Sequence, residues 1–214
     1  TASTVKTGVG VTSDPCPEVI GGIPTGADPS KGCIYLGLLN DYTGPFGPYG
    51  IPLETGQRGF WLWANQSGGI GDYSVAIVEG YDTQYNPQKH LEGYKAQRDE
   101  VAALAMSLGT PQTQFILDDM DADNMVAAPM SWYSGWSYKG SDRGLVIEFG
   151  AAYCADGMNA VDWAMANLPV DIKTIGVMGY AGDYGGDYAA GIRVAAEANG
   201  LEVAWEYIVP STEF

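Results

Sequence analysis

The chain has 214 residues, with 26 acidic and 10 basic side chains, so its formal charge is 10 − 26 = −16. Such a surface repels nucleic acid and anionic lipid, and no basic cluster interrupts it. No apolar run approaches the ~20 residues needed to cross a membrane, and no signal peptide is visible, which fits a mature secreted form.

Residues 1–32 are rich in Thr, Ser, Gly and Pro and read as an extended arm or hairpin. Cys16 and Cys33 bracket a Gly/Pro-rich excursion. A disulfide between them would close a loop of about 16 residues and contribute roughly 3 kcal/mol in the chain-entropy model. The alternative is two free thiols. Cys154 has no obvious partner within the chain. The cysteine spacings match no zinc pattern, and there is only one histidine, His90. No metal and no cofactor is expected.

An apolar run at 33–40 reads as the first core strand and meets the loop Thr43-Gly44-Pro45-Phe46-Gly47-Pro48-Tyr49-Gly50. Its glycines permit close backbone approach and positive φ, and Pro45 and Pro48 stiffen it. A helix over 52–65 follows, with Leu53, Phe60, Trp61 and Ala64 available for its buried face. It stops at Asn65…Gly68-Gly69-Ile70. A strand over 73–79 leads to Asp82, and Asn86-Pro87 opens a helix to about residue 99. Residues 101–107 form a run short enough for a buried parallel strand. The turn Gly109-Thr110-Pro111 starts a helix ending near 124, a short strand covers 125–128, and the loop 129–138 carries Trp132, Tyr133, Trp136 and Tyr138. Residues 145–149 read as a crossover strand. Helix 156–167, strand 172–179, helix 186–199 and strand 201–207 complete the chain, with Gly200 where a helix C′ glycine belongs. The alternation of strand and helix predicts an α/β fold with a parallel sheet.

The residues of 37–70, with a TGP…YG loop after the first strand and an N-x-x-GGI helix end, resemble the type I periplasmic solute-binding proteins, the branched-chain amino-acid-binding family that feeds ABC transporters. The resemblance covers about residues 33–214. It implies Rossmann-like lobes with parallel sheets: an arm over 1–32, a first lobe over 33–150 and the start of a second over 151–214, left incomplete in this chain. Another chain is a possible source of the remainder.

The same resemblance assigns candidate ligand-binding residues. Thr110, opening a helix, matches a hydroxyl that holds the ligand's carboxylate; a helix cap is the plainer role. Tyr49 matches a loop tyrosine that walls the pocket. Ser131 and Trp132 fall where small or hydroxyl residues meet the ligand's polar end, and Trp132 departs from that pattern; it is expected to face the interlobe cleft and limit ligand size, the alternative being packing under the loop 134–138. Tyr184 matches a residue that closes over the ligand, and Asp183 is placed to meet an ammonium or amide or to cap the following helix. Asp82 is expected to serve local turn structure. His90, among polar residues, is expected on a solvated helix face, as are Asp118, Asp119, Asp121 and Asp123.

No G-x-S-x-G elbow and no P-loop lysine occurs, so catalysis is not expected. The function expected from the resemblance is that of an extracytoplasmic component of an ABC importer, binding an amino acid or small amide between two lobes and delivering it to a membrane permease. The alternative is a surface sensor or assembly protein that uses the same fold for protein contacts, suggested by the Trp/Tyr-rich loops and the acidic surface. An extracellular enzyme is the third.

Overall fold

The computed structural model describes residues 6–138 and 140–209. They pack as two units. The first runs to Met130 and takes in Gly144–Ile147; the second comprises Ser131–Arg143 and the described residues from Glu148 onward. The loop 131–143, expected with the first lobe, therefore packs with the second unit.

In the first unit, short strands β1 (Val11–Thr12), β2 (Val19–Ile20) and β3 (Ile23–Pro24) precede the central strand β4 (Gly32–Asn40). Helix α1 (Gly47–Gln66), β5 (Tyr73–Ile77), β6 (Tyr81–Asp82), α2 (Pro87–Gln97), β7 (Ala103–Leu108), α3 (Thr110–Phe115), α4 (Leu117–Asp123) and β8 (Ala127–Met130) follow. β4 pairs in parallel with β5, β6 and β7, and antiparallel with β1; β7 pairs in parallel with β8. Consecutive residues of β4 feed opposite faces, as strand geometry requires. Leu38 joins Ile77, Met106 and Leu108 against Leu53 and Trp61 of α1, whereas Leu39 joins Leu104, Tyr94, Ile116 and Met120 under α2 and α4. The N-terminal arm forms the β2–β3 hairpin and is pinned to β4 by a Cys16–Cys33 disulfide, which is buried against Ala76.

The N-x-x-GGI signature has a specific job. Asn65 is buried at the end of α1, and its side-chain amide accepts from Val75 N at 2.8 Å and donates to Val75 O at 2.8 Å. It stands in for a neighbouring strand beside β5. Gly69 then turns with φ +67°, where a Cβ would lie 2.3 Å from Tyr73 O.

In the second unit, α5 (Tyr153–Asn167), β9 (Thr174–Tyr180), α6 (Gly185–Ala198) and β10 (Glu202–Val209) are described. β9 and β10 are parallel. The two helices meet at glycines: a Cβ on Gly191 would sit 1.9 Å from Cys154 O, and one on Gly157 would sit 2.4 Å from Tyr188 O. The opposite face of the strand pair leaves Met178, Trp205 and Tyr207 exposed. Gly200 has φ +66° just past α6, as expected of a C′ glycine.

Several local expectations are corrected. α1 starts at Gly47, ahead of Pro52, because buried Asn40 and Asp41 bond the loop backbone at Gly44, Phe46 and Gly50 and hold the first turn. Phe60 faces outward. The single helix expected to 124 is two, broken at Ile116, whose side chain is fully buried among Tyr94 and Met120. Residues 145–149 form no strand; opposite Val146, Ala127 N donates to Leu145 O and Ile147 N donates to Ala127 O, before the chain turns under the Trp132 ring at Gly150. In the loop 43–50 the glycines serve close approach alone, since none has positive φ; Cβ atoms at Gly44, Gly47 and Gly50 would come within 2.7 Å of Asp41 or Tyr42.

Replacing Cys16 and Cys33 by serine should lower unfolding free energy by about 3 kcal/mol; urea unfolding checks this. Gly191→Ala should cost about 1–3 kcal/mol by forcing α5 and α6 apart. Gly186→Ala, where an added Cβ meets nothing within 4 Å, should leave the melt unchanged or raise it.

Candidate functional site

In the first unit, the carboxyl ends of β4, β6 and β7 carry three loops. α/β folds bind ligands at this edge. The Gly-rich loop is held from below by carboxylates. Asp41, fully buried, accepts from Gly44 N at 2.6 Å and Phe46 N at 2.8 Å, and Asn40 donates to Gly50 O at 3.0 Å. Asp82 accepts from Tyr42 N at 2.9 Å and Thr43 Oγ1 at 2.6 Å, so it ties this loop to the next. Burial pushes the Asp82 carboxyl up, but the hydrogen bonds from Thr43, Tyr42 and Gln84 outweigh it and hold the group below its ordinary value. Arg58 forms a largely buried ion pair with Glu54 at 2.6 Å and donates to the carbonyls of Ile77 and Val78, fixing α1 to the end of β5.

Thr110 is the first residue of α3 and is buried. The residue before it is Gly109, with φ 101° and no side chain of its own to cap the helix. Tyr49 lies in the first turn of α1; the residue is 65 % exposed and its ring centroid is 6.3 Å from that of Phe46. Phe46 in turn stacks on Tyr85 at 4.2 Å, and the Tyr85 ring borders Gly109. Tyr49 and Thr110 therefore belong to one edge, joined by two aromatic residues that the sequence reading did not single out.

Beneath this edge runs a buried polar chain. His90 Nε2 is 2.9 Å from Ser107 Oγ, Ser107 Oγ is 2.7 Å from Thr113 Oγ1, and Thr113 Oγ1 donates to Gly109 O at 2.9 Å. The polarity is consistent when His90 carries its proton on Nε2. His90 Nδ1 is buried and has no hydrogen-bond partner among the described residues. The solvated face expected for His90 is thus corrected: α2 turns its imidazole into the core, and burial lowers its pKa from 6.5 to about 3. The His90–Ser107 contact resembles a base and nucleophile, but both side chains are 0 % exposed and among the described residues no acid orients Nδ1. Asp119 and Asp123 are also not simply solvated; Asp123 pairs with Arg98 at 3.2 Å and accepts from Tyr94, and Asp119 is 4.0 Å from Lys95.

In the second unit, Ser131 and Trp132 open a loop braced through Asp187, and Asp183 and Tyr184 lie just ahead of α6. The Asp187 carboxylate accepts from Ser134 N at 2.9 Å, Ser134 Oγ at 2.6 Å and Cys154 N at 3.3 Å. Ser131 is buried and accepts from Trp136 Nε1 at 3.0 Å. Trp132 meets Phe149 at 5.2 Å and Tyr153 at 6.1 Å, both edge-on, and Tyr153 meets Tyr184 edge-on at 4.9 Å. Trp136, within the loop 134–138, is 2 % exposed and edge-on to Tyr133. Asp183 does not cap α6, where no side chain bonds the N-cap. Burial, then the nearby Asp187 carboxylate, raises its pKa. Tyr184 also lines a hollow of about 420 Å³ with Met178, Tyr180, Tyr188, Tyr207 and Val209. Among the described residues no group of three or more His, Cys, Asp or Glu is placed to hold a metal ion.

A protein family described as periplasmic binding protein matches residues 33–214. No curated protein matches the chain. Among solved structures, a fatty acid ABC transporter substrate-binding protein from Thermomonospora curvata aligns with TM-score 0.73 and 29 % identity, over 89 % of this chain and 47 % of its own. A branched-chain amino acid ABC transporter protein from Thermus thermophilus, with bound valine, aligns with TM-score 0.72 and 15 % identity, over 86 % and 47 %. A solute-binding protein from Rhodopseudomonas palustris HaA2, in complex with p-hydroxybenzoic acid, aligns with TM-score 0.71 and 15 % identity, over 84 % and 48 %. The chain spans about half the length of these relatives and has the type I binding-protein fold over that part.

The His90 burial makes stability depend on pH. The unfolded chain takes up a proton near pH 6.5 that the folded chain refuses until about pH 3. The stabilisation present above pH 6.5 should fall by on the order of 1 kcal/mol per pH unit as pH drops through that window. Urea unfolding at pH 7 and pH 4.5 should show the loss, and His90→Gln should reduce the difference between the two.

Proposed function

This chain belongs to the periplasmic binding proteins, and from that premise we propose that it serves an ABC importer as the extracytoplasmic component that captures a small organic solute. The solute is an amino acid or small amide, and the partner is a membrane permease. The observation that carries this reading is the convergence, at the carboxyl edge of the first unit's parallel sheet, of Tyr49, Thr110 and the loop that Asp41 and Asp82 hold still. A rigid edge of this kind suits binding, because little ordering is left to be done when the solute arrives.

Thr110 supplies the hydroxyl for the solute's carboxylate, and Gly109, without a side chain, lets it approach the backbone. In the second unit Asp183 meets the ammonium or amide, while Trp132 and Tyr184 provide apolar wall. The Asp183 carboxyl is half-buried and accepts no hydrogen bond among the described residues, which suits a group awaiting a donor. The fatty acid relative supports a carboxylate-bearing solute. The mechanism is capture and release by conformational change, without bond chemistry. An extracytoplasmic location agrees with the buried Cys16–Cys33 disulfide. Among the described residues no helix is long and apolar enough to cross a membrane.

Thr110→Ala should weaken binding of the cognate solute by about 1–3 kcal/mol, the usual effect of losing a hydrogen bond to a charged group. Intact mass spectrometry under native conditions identifies the retained solute, and calorimetry on wild type and variant measures the change. Unchanged affinity would remove Thr110 from the site.

A further inference from the structure

Gln84 and Tyr85 stand consecutively in the left-handed backbone region, at φ 51° and 52°. A bulky aromatic residue rarely adopts this conformation, and it persists only where the surroundings impose it. Three contacts impose it here. Gln84 N donates to Asp82 Oδ1 at 3.2 Å; Tyr85 O accepts from the buried Gln112 Nε2 at 2.7 Å; and the Tyr85 ring stacks on Phe46, 36° from parallel.

The strained turn delivers the phenol ring onto the Gly109–Thr110 edge. A Cβ on Gly109 would lie 2.7 Å from Tyr85 Cε2 and 2.2 Å from Gln112 Oε1, so the ring fills the space that a side chain at 109 would take. Gly109 is needed twice, for its φ of 101° and for this approach. Turn formation alone does not call for Tyr85, since Asn or Gly adopts the same backbone with less strain. What an aromatic residue adds at this position is its ring.

We propose that Tyr85 is a specificity-determining residue: its ring, stacked on Phe46 beside Gly109 and Thr110, selects solutes that carry an aromatic ring over those with an aliphatic side chain. The proposal rests on the solute-binding reading above. A solute anchored by its polar end at Thr110 lays its body against the Phe46–Tyr85 pair, and Tyr49 extends the same aromatic surface. Ring-on-ring contact adds to simple area burial, which an aliphatic chain of similar size does not match.

The test is a calorimetric panel of L-phenylalanine, 4-hydroxybenzoate, L-leucine, L-valine and decanoate on the full chain. The aromatic solutes should bind about tenfold tighter than the aliphatic ones. Tyr85→Asn, which keeps a residue tolerant of the left-handed turn, should erase that preference, and Tyr85→Phe should retain it. L-Leucine, L-valine or decanoate binding wild type as tightly as the aromatic solutes overturns the proposal without any variant. An unchanged rank order in Tyr85→Asn overturns it too. In both cases the solute-binding reading stands. If no panel member binds and none is retained by the native protein, that reading fails and the proposal fails with it.

Discussion

A single buried carboxylate fixes the geometry on which the first unit's candidate binding edge depends. Asp41 follows the last residue of β4 and has no exposure to solvent. Its oxygens are matched to Gly44 N and Phe46 N, so the loop backbone supplies the donors that water would otherwise give. The loop can then fold tightly over the carboxylate only because Gly44 lacks a side chain. From this follow the early start of α1, the position of Phe46, and through Phe46 the seat of the Tyr85 ring. Removing the carboxylate would leave two partly buried N–H groups without this acceptor at the candidate edge.

The neighbouring loops are fixed by the same means, with side chains replacing backbone pairing. Asp82 couples the first and second loops, Gln112 couples the second to α3, and the His90–Ser107–Thr113 chain couples α2 to the Gly109 carbonyl. In the second unit Asp187 does the corresponding work for the loop 131–138 and the start of α5. Each unit thus carries its aromatic residues on loops whose backbone is bonded from the inside. The geometry of such loops is set by the fold itself, through side chains bonded to their backbone.

Much of this was legible in the sequence. Apolar runs of strand length separated by glycine-punctuated helices gave the order of the elements, and the TGP…YG and N-x-x-GGI signatures marked where β4 and α1 end. The residues that escaped did so for physical reasons. His90 sits among polar neighbours along the chain, and only the three-dimensional turn of α2 brings it to Ser107. Phe46 reads as one more loop aromatic until its stacking on Tyr85 is seen. A positive φ at Tyr85 leaves no mark in a sequence, because the strain is imposed by Asp82, Gln112 and Phe46. The start of α1 was misplaced because Pro52 looks like a first-turn residue, while the bracing by Asn40 and Asp41 is a tertiary effect. The segment 145–149 has strand-like composition, yet pairs only at Val146.

The bare face of the β9–β10 pair has a colloidal consequence. Parallel strands are ordinarily covered on both sides, and among the described residues Met178, Trp205 and Tyr207 are exposed on one of them. Two chains meeting through such faces would gain hydrophobic contact. Their mutual repulsion, set by a net charge of −16, works against the encounter. The repulsion acts over a screening distance of about 10 Å at 0.1 M salt but only about 3 Å at 1 M, whereas the apolar attraction does not fade with ionic strength. Salt therefore weakens the repulsion that opposes contact through these side chains without weakening the contact itself.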